Sequence, residues 1–133
     1  MKIIAPITAA TAIVLVPIFV RLAFGVIKLR HLHKVSLGSG GHADLEAAIR
    51  AHGNFAEYVP FSLLLILSAE INGSPMWLVG LVAVMLVVGR FIHAVAIPAG
   101  NLVGRTRGMK LTFAALALGA IANILPVGVS LLG

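Results

Sequence analysis

Four polar residues on one short segment are the first place where this sequence could do chemistry. They lie in the run Asp44-Leu-Glu46-Ala-Ala-Ile-Arg50-Ala-His52-Gly-Asn54-Phe-Ala-Glu57-Tyr58-Val-Pro60. A helix turns about 100° per residue, which sets Glu46, Arg50, Asn54 and Glu57 within an arc of about 80°. One stripe then offers a carboxylate, a guanidinium, a carboxamide and a second carboxylate. The apolar run Tyr58 to Ala69 follows directly. Charged groups at membrane depth cost several kcal/mol unless paired or hydrated, so the stripe faces other helices or a polar cavity and not lipid. An Arg50–Glu57 pair, aided by Asn54, could simply lock helices together. An ion pair needs two residues and the stripe has four, and that surplus favours a binding site.

Other polar residues carry weaker signals. Arg90 and His93 lie one turn apart on a later apolar stretch. Arg90 can pair with Glu57 or Glu46, or meet an anionic ligand, while a lone His93 in such a place is more often a satisfied interhelical residue than a catalyst. His31, His33 and His42 hint at a metal. Without cysteine or clustered carboxylates they read as solvated loop histidines, and no metal site is expected. Gly38 to Gly41 is not a phosphate loop, since no strand precedes it and no Gly-Lys-Ser/Thr follows. Gly100, Gly104 and Gly108 have helix-packing spacing but fall in a basic connector, and they read as loop residues. Arg21 either snorkels or pairs with a carboxylate. Trp77 suits an interfacial anchor.

The elements that must position these groups follow from composition. The 133 residues are 60% hydrophobic and only 11% charged, with mean hydropathy +1.10. A soluble domain carries roughly 25% charged residues, so lipid must cover much of this exterior. The net charge of +6 does not point to nucleic acid. The basic residues flank apolar runs instead of forming one stripe, as cations do at anionic headgroups. Without cysteine the chain has no disulfide and no thiol of its own, so any thiol chemistry must use a thiol from the substrate.

Four apolar stretches appear, at about 3–27, 44–71, 76–97 and 111–132, in one domain spanning 1–133. The first is longer than a signal-peptide core and lacks a convincing cleavage site, so it is expected to be a retained span. A hydrocarbon core about 30 Å thick takes about 20 helical residues, and backbone groups in lipid must be satisfied internally. The fold class is therefore an all-α membrane protein, a four-transmembrane-helix bundle. Lys28, Arg30 and Lys34 follow the first stretch, and Arg105, Arg107 and Lys110 follow the third. The positive-inside rule puts both basic connectors in the cytoplasm and both termini outside, as expected in a bacterial inner membrane.

The stripe also resembles a known family. The run Arg50-Ala-His52-Gly-Asn54-Phe-Ala-Glu57-Tyr58-Val-Pro60 matches, at every fixed position, the pattern R-A-x-x-N-x-x-E-x-x-P. That pattern is similar to the second helix of the MAPEG superfamily, the membrane-associated proteins in eicosanoid and glutathione metabolism. Asp44 and Glu46 are similar to its prostaglandin synthase branch, and the layout resembles a bacterial microsomal glutathione transferase-like member. The resemblance implies a homotrimer with glutathione bound as co-substrate between subunits near the cytoplasmic face. On the matching positions Arg50, Asn54, Glu57 and Tyr58 would hold glutathione, with Glu46 nearby. Lys28 stands where the family often has arginine, and Arg90 with His93 resembles its Arg-x-x-His pair. Arg105, or Arg107 in its place, matches the arginine that stabilises the thiolate. Four residues after His93, several eicosanoid enzymes carry a tyrosine. Here that place holds Ile97, and Tyr58 is the only tyrosine in the chain.

The expected partners are thus a second and third copy of the chain, the bilayer, and a lipophilic small-molecule substrate, with no nucleic acid. The expected activity is that of a glutathione transferase or peroxidase, conjugating or reducing lipophilic electrophiles. Two other readings stay open. A small multidrug-type transporter also has four short helices and an intramembrane carboxylate, but usually carries its essential glutamate in helix one, where this chain has only Arg21. A non-catalytic protein could keep the fold and the ligand.

Overall fold

The computed structural model describes residues 4–132, with the side chain of residue 125 outside that description. Four helices follow one another: α1 (Pro6–His33), α2 (Ala43–Ile71), α3 (Met76–Ala96) and α4 (Leu102–Leu132). All four are long and apolar enough to cross a membrane. The expected start of the first stretch at position 3 lies outside the described residues.

Each helix starts and stops for local reasons. Pro6 opens α1, where its missing N–H costs nothing. The first amides of α1 are capped from a distance: the Glu70 carboxylate accepts from Ile7 N at 2.7 Å, Thr8 N at 2.8 Å and Thr8 Oγ1 at 2.7 Å. Lys34, in the left-handed region at φ 54°, ends the helix. The α2–α3 turn uses Gly73 at φ 81°, and Ser74 Oγ donates to Ala122 O at 2.7 Å. Asn123 Nδ2 donates to Leu65 O at 3.0 Å and ties α4 to α2 in the same half. Such polar ties satisfy groups that lipid cannot.

Helices α1 and α4 extend beyond their apolar stretches, whereas α3, with 21 residues, stops at Ala96. At about 1.5 Å per residue, 28 to 31 residues exceed the roughly 30 Å hydrocarbon core. Helix α1 continues through Lys28 and Arg30 to His33. Helix α4 begins at Leu102, so the apolar stretch from Leu111 is the inner part of a longer helix. This corrects the loop assignment of Gly104 and Gly108. Asn101 Oδ1 accepts from Gly104 N at 2.9 Å and starts α4, while Arg105, Arg107 and Lys110 are good helix formers. A Cβ on Gly108 would come within 2.7 Å of Gly89 O and 2.8 Å of His93 N; one on Gly104 would reach Ala96 Cβ at 2.9 Å. These glycines let α3 and α4 approach closely, as small residues do where lipid supplies no hydrophobic drive. Gly100, at φ 64°, remains in the connector.

Phe55, Val59 and Ile66 of α2, Val79, Val82 and Leu86 of α3, Ala115 and Ala122 of α4 and Leu15 of α1 form the buried core. Ile13, Phe24, Leu64, Trp77, Val84, Phe91 and Ile124 are among the large apolar side chains exposed on the outside. In water this would be an aggregation surface; in a bilayer it is the lipid-facing wall.

Candidate functional site

Both connectors with basic residues lie at one end of the bundle, and there the second, third and fourth helices leave a cleft of about 220 Å³. Helix α2 lines it with Ile49, Arg50, Gly53, Asn54 and Glu57, the end of α3 with His93 and Ile97, and the first turn of α4 with Arg105. The stripe is real in three dimensions because α2 is continuous from Ala43, so Arg50, Asn54 and Glu57 stack one turn apart on one side. Arg105 reaches the same space only because α4 already begins at Leu102.

Arg90 stands behind this wall and is wholly buried. Its Nη1 donates to Asn54 Oδ1 at 2.8 Å, and its Nη2 contacts Met109 Sδ at 3.3 Å. Its Nε is buried and has no hydrogen-bond partner among the described residues. Of the pairings that the sequence left open, neither Glu57 nor Glu46 receives it. Among the described residues the one ion pair within 4.0 Å joins His33 and Asp44, so the helix-locking Arg50–Glu57 pair is not formed. Arg50 and Glu57 are exposed at the cleft instead.

The remaining predicted residues sit elsewhere. Tyr58 is half-buried with its ring edge-on to Phe113 of α4, centroids 5.5 Å apart, and is not part of the cleft lining. Glu46 is exposed about one turn before Arg50, Lys28 is exposed near the end of α1, and Arg107 is exposed beyond Arg105. None of these three lines the cleft. Arg21 is exposed on α1 beside a separate cavity that it shares with Leu22, Ala47 and Ala94.

Sequence reasoning missed three contributors. Met109 escaped notice because its segment read as connector; with α4 starting at Leu102 it falls one turn after Arg105, facing Arg90. Glu70 was passed over at the end of an apolar run, although a carboxylate beside a helix start is a cap once the end of α2 meets the start of α1. Arg30 read as an anchor, and its Nη1 in fact donates to Ser36 O at 3.0 Å and Gly38 O at 3.1 Å, folding the connector.

A four-helix integral membrane protein with a polar, arginine-lined cleft at one end of its bundle is the class that this geometry defines. The MAPEG family matches residues 8–125, and the chain belongs to that family. It is similar to the inner membrane protein YecN of Escherichia coli strain K12, 34% identical over 118 residues, covering 89% of this chain and 90% of the relative. The YecN protein of a second strain, O6:H1, matches to the same extent. With four membrane-crossing helices and an inner membrane relative, this is a multi-pass protein of a bacterial inner membrane.

Proposed function

We propose that the protein is a membrane-bound glutathione transferase or peroxidase-like enzyme that binds glutathione, or a similar low-molecular-weight thiol, in the α2–α3–α4 cleft. The observation that carries this reading is the convergence of Arg50, Asn54, Glu57, His93 and Arg105 on one space. Arg50 and Arg105 offer donors to carboxylates, Glu57 accepts from an ammonium group, and the Asn54 amide complements a peptide bond. A peptide-like thiol carries all three partners. Arg90 adds support: a buried cation with no carboxylate within 4.0 Å among the described residues is costly, and an anion in the adjacent cleft would offset that cost.

In the proposed reaction, Arg105 faces the bound sulfur. A free thiol has a pKa near about 8.5, so little of it is thiolate at neutral pH. A guanidinium beside the sulfur favours the charged form, more strongly at the low dielectric of the membrane edge. A lipophilic electrophile then reaches the thiolate from the bilayer, a role that fits detoxification. A trimer belongs to the same proposal. Glu46, Arg50 and Glu57 are exposed on a single chain, and neighbouring subunits would cover what lipid cannot tolerate.

Calorimetry with glutathione on the purified protein tests this reading. Saturable binding that weakens about tenfold or more in Arg50→Ala supports it; no binding of glutathione or of any small thiol overturns it. Ile97 in the cleft favours one second reading, in which the thiol is held without turnover. The transporter alternative gains nothing from Glu70, whose two oxygens accept hydrogen bonds from the first turn of α1 at Ile7 and Thr8.

A further inference from the structure

The histidines set aside as solvated loop residues are not scattered. His33 is the last residue of α1, His42 immediately precedes α2, and Asp44 lies in its first turn. One donor atom from each lies within 4.8 Å of the other two. We propose that His33, His42 and Asp44 form a divalent-metal site of the zinc type at the cytoplasmic tip of the α1–α2 hairpin.

The donor set suits such an ion. Two imidazoles and one carboxylate, with a fourth position left for water, are the ligands of zinc, cobalt(II) and nickel(II); magnesium and calcium take oxygen ligands. In a tetrahedral zinc site with bonds near 2.1 Å, donor atoms sit roughly 3.4 Å apart. With the three donors within 4.8 Å of one another, the His42 nitrogen has to close in while the hydrogen-bonded His33–Asp44 pair opens by about half an ångström. His33 Nε2 already lies 2.8 and 3.0 Å from the two Asp44 oxygens.

The hairpin holds these groups in place. Arg30 clamps the connector through Ser36 O and Gly38 O. Val35 N donates to Arg30 O and His42 N to Ser39 O, both at 3.0 Å. Arg30 Nη1 is thereby engaged by carbonyls of the connector. The His33–Asp44 ion pair alone would close the hairpin, yet it does not account for His42, whose ring stacks on His33 with centroids 3.9 Å apart and planes 13° from parallel. Lone pairs in parallel rings point side by side, so ligation requires one ring to turn. His42 can do so, because its side chain makes no capping hydrogen bond to α2. No cysteine exists in the chain to compete for a soft metal.

The test uses the full chain in detergent without a polyhistidine tag. Cobalt(II) is titrated while its visible ligand-field absorption is followed, with zinc as competitor. One saturable site per chain is expected, displaced by zinc and indifferent to excess magnesium. His33→Ala, His42→Ala and Asp44→Asn should each weaken cobalt binding at least tenfold, with circular dichroism confirming that the helices persist. His31→Ala should bind as the parent does, since His31 lies outside the cluster. Wild-type cobalt affinity in His42→Ala, an equal loss in His31→Ala, or no saturable site in the parent each overturns the proposal. Glutathione binding plays no part in any of these readouts.

Discussion

Arg90 and Asn54 meet between α3 and α2, Nη1 to Oδ1 at 2.8 Å, and this bond joins the buried interior to the lining of the cleft. The same carboxamide therefore has two duties. It accepts from a guanidinium that has no carboxylate within ion-pair distance among the described residues, and it lines the cleft.

That arrangement separates two substitutions. Asn54→Ala removes the acceptor from a buried charge and should destabilise the bundle by about 2 kcal/mol, the cost of leaving a charged donor unpaired. Arg90→Met removes the charge with its desolvation cost, and should change stability by less while abolishing any help the charge gives to an anionic ligand. Thermal unfolding in detergent reads the first effect and glutathione calorimetry the second. A larger stability loss for Arg90→Met than for Asn54→Ala would show that packing of the Arg90 stem, not its charge, is what matters.

The α3–α4 contact predicts a glycine with no tolerance for a methyl group. Gly108→Ala drives a Cβ into Gly89 O, His93 N and His93 Cβ, all within 2.9 Å. Two of these are backbone atoms that cannot step aside, so the helices must separate, at a cost of about 1–3 kcal/mol. Gly25→Ala is the control: nothing among the described residues lies within 4 Å of the added carbon, and alanine favours the helix. If both variants melt alike, the close approach of α3 and α4 is not a source of stability.

Much of this was readable in the sequence, and the limits have physical causes. Four spans were legible because lipid forces long apolar helices, and the α2 stripe was legible because charge inside such a helix is conspicuous. The start of α4 was hidden, since Arg105, Arg107 and Lys110 mark the membrane edge without breaking a helix. The roles of Gly104 and Gly108 depend on Ala96, Gly89 and His93, which lie on the other helix and are brought near only by the α3–α4 hairpin. Glu70 depends in the same way on Ile7 and Thr8.

Those Glu70 bonds make a prediction of their own. Glu70→Ala strips a cap from the first turn of α1 and should cost about 0.5–2 kcal/mol. Glu70→Gln keeps one carbonyl acceptor and should recover part of it. Hydrogen exchange at Ile7 and Thr8 checks the location of the effect; unchanged protection in Glu70→Ala would mean that the carboxylate does not hold that turn.

Assembly can be measured directly. The exposed Glu46, Arg50 and Glu57 of α2 need partners that one chain does not supply. A trimer is expected by native mass spectrometry from detergent and from lipid nanodiscs. A monodisperse monomer or antiparallel dimer in both settings contradicts it, and the cleft would then have to be complete within a single bundle.

The proposed thiol chemistry is assigned to Arg105, which lines the cleft, and not to Arg107, which does not. Adding glutathione to the parent protein should produce ultraviolet thiolate absorbance at neutral pH. Arg105→Ala should abolish that signal while keeping most of the binding, which draws on Arg50 and Asn54 of α2. Arg50→Ala should instead weaken glutathione about tenfold to a hundredfold, the loss of one charge-assisted hydrogen bond. Arg107→Ala should do little to either, and the opposite ranking would give Arg107 the part assigned to Arg105. Ile97 refines the test, because it fills a place in the cleft where a tyrosine hydroxyl would supply a further donor. Ile97→Tyr should raise turnover with a chlorodinitrobenzene if donors to the bound thiol limit the rate. If thiolate instead forms in the Arg105→Ala, Arg107→Ala double variant as it does in the parent, neither arginine ionises the sulfur. Glutathione would then depend on His93, the remaining ionisable group on the α3 side of the cleft, and His93→Ala would have to remove the signal.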